Sequence, residues 1–151
     1  LYRRSLYTNI RRTVAPPSML LFDMPSREVC TVQRARTNTP LQALALMNEV
    51  TYVEAAKKFA ERMMGQGASV RERISWGFRS ATQRAPEEEE LRVLLAGYGR
   101  RLDRFKASPQ SAAKLLRRGE AKVSEKLSPV ELAAMTTVAG VLLNLDEVIN
   151  K

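Results

Sequence analysis

Apolar residues recur at helical spacing through most of the chain beyond residue 38. Leu46, Val50, Val53, Ala56, Ala60 and Met63 follow at three- and four-residue steps, which place side chains on one face of an α-helix. Val70, Ile74, Phe78 and Ala81 form a second stripe with Trp76 near its edge, and Leu91, Leu94, Leu95, Tyr98, Leu102 and Phe105 a third. No charge interrupts the run from Leu132 to Leu145, so the last long helix is expected at the centre of the core. No stretch alternates as a strand bounded by hairpin turns, and no internal repeat stands out. The pattern predicts an all-α fold of five to six helices in an irregular or orthogonal bundle. Residues 1–13, with Tyr2, Leu6 and Ile10 at helical spacing, are expected to end a helix. Residues 14–38 form one long ordered loop near the N-terminus, and residues 39–151 the helical core.

The punctuation between stripes has a physical basis. Ala15-Pro16-Pro17 breaks the first helix, because proline lacks an N–H and biases its predecessor away from the helical region. Met19–Phe22 then makes a short extended or helical turn. Thr39-Pro40-Leu41-Gln42 is a capping box with proline at the first helical position, and Gly65 is a fitting stop. Ser69 with Glu72, and Ser128 with Glu131, repeat the box. Pro86 and Glu87–Glu90 open a third helix, where carboxylates favour the positive end of the helix dipole. Ser108-Pro109 begins a short helix that ends at Gly119. Leu41 to Met47 is apolar almost all round, so that end of its helix is expected to be buried.

Composition narrows the chemistry. At 151 residues the chain is the size of a single domain. Its opening on Leu1, with no signal-peptide pattern, leads to the expectation of a fragment of a larger multidomain protein. Histidine is absent, which removes the commonest general base and metal ligand. One cysteine, Cys30, excludes an intramolecular disulfide and a Cys-x-x-Cys haem or redox motif within the chain. The net charge of +9 is scattered in pairs such as Arg3-Arg4, Lys57-Lys58 and Arg100-Arg101. Few aromatics stand among them to stack bases, so nucleic-acid binding is the weakest of three readings. A solvated basic surface, or one facing an acidic neighbour, is preferred. No apolar run reaches the roughly 20 residues that span a bilayer.

The best candidate site lies in "RARTNT", residues 34–39. Arg34, Arg36, Asn38 and Thr39 precede a helix N-terminus, and guanidinium forks with backbone N–H groups could seat a phosphate, sulfate or carboxylate. The competing reading has the arginines pairing with Asp23, Glu28 or Glu49, or satisfying loop carbonyls, to pin the loop onto the helix. Cys30 is a nucleophile only if Arg27 or Arg34 lowers its pKa, and with no histidine to activate it a buried, inert thiol is expected. Gln42 and Glu49, seven apart with Asn48 adjacent, suggest a satisfied polar network, with the lining of a cleft as the alternative. The four successive glutamates point in different directions, so no metal site is assigned to them. Asp146 and Glu147 either cap the final turn or pair with the basic surface. No catalytic residue is assigned.

The stretches "RRSLYT", "PPSMLLFDMPSREVCTVQRARTNTPLQALALMN" and "LLNLDEVIN" resemble the C-terminal part of planctomycete-specific domain one, a bacterial domain of unknown function. Asn9 departs from the aromatic that the pattern favours, and residues 84–128 agree only in helical character. The resemblance implies a parent protein that is exported and carries further domains upstream, often one like cytochrome c. It implies a haem there, no cofactor in this chain, and no catalytic residue to carry over. The leading reading is a non-catalytic accessory module packing on upstream domains. The alternative is an arginine-lined pocket for an anion or acidic glycan within a shared active site.

Overall fold

The computed structural model describes residues 8–11, 14–26, 28–33, 35–124 and 126–150. Among these residues there are eight helices and no strands: α1 Pro17–Leu21, α2 Pro40–Asn48, α3 Val50–Met64, α4 Val70–Thr82, α5 Glu88–Ala107, α6 Pro109–Leu116, α7 Pro129–Leu143 and α8 Asp146–Ile149. The all-α expectation holds, and six helices are seven residues or longer. The count exceeds five to six because α1 and α8 are short turns and because one expected helix is two. The helix end expected over residues 1–13 lies largely outside the described residues; residues 8–11 are not helical.

α7 is the axis of the fold, packed chiefly on α3, α5 and α6. Leu132, Ala133, Ala134, Ala139 and Leu142 have no solvent exposure. Small side chains among them let neighbouring helices approach closely, while Leu132 and Leu142 fill the space between. Against this helix sit Ala60 and Met63 of α3, Ile74 and Phe78 of α4, and Leu91, Tyr98 and Phe105 of α5. These are the stripe positions of the sequence pattern. Pro129 starts α7 as expected, but Ser128 makes no side-chain cap bond, so the box expected there does not form.

The largest departure is at Glu49. The stripe from Leu46 to Met63 predicts one continuous helix, but Glu49 is extended, with ψ 139°, and ends α2 as it caps α3. Its carboxylate accepts the N–H groups of Thr51 at 3.1 Å and Tyr52 at 3.4 Å. Those amides have no partner within the helix, so a carboxylate at the break replaces lost backbone bonds. The buried stripe of α3 therefore does not extend into α2. Leu41, Leu44 and Met47 are 60, 58 and 50% exposed, which overturns the expectation that this end is buried. Cys30 is likewise exposed rather than buried, within an exposed run of loop that no helix covers.

Candidate functional site

Gln42 is the only side chain of α2 withdrawn from solvent, and it joins three segments. Its Nε2 donates to the Leu21 carbonyl, at the end of α1, at 2.8 Å and to Thr37 Oγ1 at 3.0 Å. Its Oε1 accepts the Thr39 N–H at 2.8 Å, while Thr39 Oγ1 accepts the Gln42 N–H at 3.2 Å. The capping box written in the sequence is thus also the tie between loop and core. Thr37 extends it: its N–H and its hydroxyl each donate to Asp23 Oδ2 at 2.8 Å. Asp23 has a φ of 59°, a left-handed conformation that aspartate tolerates better than most residues. Asp23 and Thr37, 14 residues apart in the chain, are thereby tied together.

Of the four residues expected to seat an anion, Arg34 lies outside the described residues. Arg36 Nη1 donates to the Asn150 carbonyl at 3.2 Å, and Asn38 Nδ2 donates to Asp146 Oδ1 at 2.8 Å. Thr39 caps α2. Two side chains at the C-terminal end of the loop therefore reach α8 and its C-cap Asn150, at the far end of the sequence. A recess of about 150 Å³ is lined by Asp23, Arg36, Thr37, Gln42 and Asn150. Asp23 and Arg36 line the same recess, so a carboxylate shares it with the guanidinium and weakens the pull on an anion.

The other side of α8 is held by Arg84, which follows α4. Its guanidinium grips Glu147 through Nε at 3.1 Å and Nη2 at 2.8 Å. It grips Glu90 through Nη1 at 2.8 Å and Nη2 at 2.6 Å, and lies 4.7 Å over the ring of Phe78. The hydrogen bonds from Arg84 hold the Glu90 carboxyl down at about 2. The glutamates of α5 diverge as their adjacency implies: Glu88 pairs with Arg71, Glu89 with Arg92, and Glu90 with Arg84. Glu49 serves as a cap rather than joining Gln42 in one network.

Two buried charges escape sequence reading. Lys57 has no exposed surface, and its Nζ donates to the carbonyls of Leu116 at 3.1 Å and Arg118 at 2.9 Å, at the end of α6. Burial pushes its ammonium below the usual lysine range, while Glu54 pulls the other way. Glu54, 5% exposed, accepts the Ala121 N–H at 2.6 Å. The signal was available. Lys57 stands four residues after Val53 and three before Ala60, on the apolar face, although its pairing with Lys58 suggests surface. A lysine here supplies a cation to the negative end of α6.

These features define a class before they define a relative: an all-helical domain built on one buried apolar helix, with its loop and last turn tied down by capping residues and arginines. A family model described as PSD1, protein of unknown function (DUF1553), matches residues 1–98. The match covers more than half of the 151 residues, and the chain belongs to the PSD1 family. No curated protein and no solved structure matches it. The match takes in "RRSLYT" and the loop through Asn48, and ends inside α5. "LLNLDEVIN" lies beyond it, so the partners Asp146, Glu147 and Asn150 and the axial helix α7 come from outside the matched segment.

Proposed function

We propose that this chain is a non-catalytic packing module, one part of a larger exported bacterial protein that also carries a cytochrome c-like domain upstream. The observation that carries this reading is the bare apolar face of α2. Leu41, Leu44 and Met47, with Val50 at the start of α3, are each close to half exposed or more. Apolar residues grouped in this way on a domain surface mark a contact to be made. Meanwhile polar groups around the loop are engaged within the chain: Arg36, Asn38, Thr39 and Gln42 each hydrogen-bond to it. The +9 charge suits an acidic neighbour. α2 would be the docking helix and the Asp23–Thr37 loop its brace.

The test compares hydrogen exchange of α2 in the isolated chain and in the full parent protein. Slower exchange across residues 41–50 in the parent, abolished by Leu44→Asp with Met47→Asp, is the expected result. Equal exchange in both contexts would remove the reading. The alternative, an anion or acidic-glycan seat at Arg34, Arg36, Asn38 and Thr39, has the recess beside Arg36 in its favour. Sulfate titration that shifts the amides of residues 35–39 would support it, and a flat titration would not.

A further inference from the structure

We infer that the groove between α5 and α7 is a docking site for an amphipathic helix with acidic flanks, presented by another protein domain. The inference rests on the packing-module reading and specifies what one partner offers. The groove has a volume of about 410 Å³, an aliphatic floor of Val93, Leu94, Val138 and Val141, and a rim of Arg100, Arg101 and Arg104. Val93 and Val141 are 57 and 45% exposed. Gly97 in its wall leaves it open: a β-carbon there would meet nothing within 4 Å. A second hollow of about 270 Å³ shares Arg101, Thr137 and Val141 and carries the apolar surface on to Met47.

Three arguments select the occupant. Both walls are helices whose backbone groups are already paired, so an extended segment would find no edge to bond to. A helix, which satisfies its own backbone, is the form that fits. From Val93 to Arg104 the wall runs about 16 Å at 1.5 Å per residue, about three turns of a partner helix. Among the described residues no ion pair engages Arg100, Arg101 or Arg104, and Asp103 is not among the lining residues. The rim thus offers three guanidinium groups to incoming carboxylates. An aliphatic floor without an aromatic ring gives nucleic-acid bases nothing to stack on.

The test titrates the isotopically labelled chain with two synthetic helical peptides. Each is about five turns long, with an apolar stripe at steps of three and four. One carries glutamate on both flanks, the other lysine. The glutamate peptide is expected to shift the amides of Val93, Gly97 and Val141 and to bind at least about tenfold tighter than the lysine peptide. Gly97→Leu should abolish binding by filling the groove, and Arg100→Glu with Arg104→Glu should reverse the preference. Circular dichroism confirms that each variant is folded. Equal binding of both peptides, shifts elsewhere, no binding, displacement by an oligonucleotide, or self-association that perturbs the same amides would each overturn the proposal. Any of these would leave the exchange test on α2 standing, so the two failures are distinguishable.

Discussion

Alanine placed at two glycines should have effects of opposite sign. Gly119, just past α6, has a φ of 78°, where a β-carbon costs about 1–2 kcal/mol. A β-carbon there would also fall within 3.0 Å of Glu54 Cδ and Oε1. Glu54 is buried and holds the Ala121 N–H at 2.6 Å, so it cannot yield without breaking that bond. A hydrogen bond to a charged group contributes about 1.5–3 kcal/mol. Gly119→Ala should therefore destabilise by about 2.5–5 kcal/mol, a large share of the ~5–15 kcal/mol that holds a domain folded. In a chain of this size that lowers Tm by about 5–20 °C. Gly99, inside α5, would meet nothing with an added β-carbon, so Gly99→Ala should gain about 0.4–1 kcal/mol from helix propensity and a less flexible unfolded chain. Urea denaturation of both variants beside the wild type measures the two changes. A Gly119→Ala chain within about 1 kcal/mol of wild type, or a destabilised Gly99→Ala chain, would refute the placement of Glu54 beneath Gly119 and of Gly99 in open space.

Thr39→Ala should cost about 0.5–2 kcal/mol by removing the cap of α2, and Pro40→Ala less; exchange of residues 23–37 should quicken with the first and hold with the second. Glu90 has a folded pKa of about 2 against an ordinary 4.5, so its stabilising contribution is complete above pH 4.5 and is lost as pH falls toward 2. Acid titration of Glu90→Gln should accordingly show a flatter loss of stability than wild type. Lys57→Met, by orphaning two carbonyls, should cost about 1–3 kcal/mol in urea at neutral pH. Because burial lowers the pKa of Lys57 below 10.5, the unfolded chain binds its proton more tightly. Wild type should then gain stability relative to the methionine variant as pH rises toward 10.5.

Several structural decisions are local, and for that reason legible in the sequence. Thr39-Pro40-Leu41-Gln42 and Ser69-Val70-Arg71-Glu72 each hold the donors and acceptors of their own helix start within four residues, and both boxes form. The inner stripes of α3, α4 and α5 and the uncharged run of α7 fix which faces meet, because burying apolar surface is the dominant favourable contribution to folding. The polar segment before Leu41 leaves two readings open in the sequence, loop pin and anion seat, since side chains can be counted there but not aimed. Other decisions depended on residues brought together from far along the chain. Nothing near Glu49 says that it caps a new helix instead of continuing the old one, nor that α2 is left with its apolar face bare. Lys57 looks like surface until the end of α6 supplies two carbonyls. Arg84 is one basic residue among 25 until Glu90 and Glu147 close on it from either side. Periodicity and caps record what a helix requires of its own residues, whereas the partner of a charge and the cover of an apolar face are set by distant segments in three dimensions.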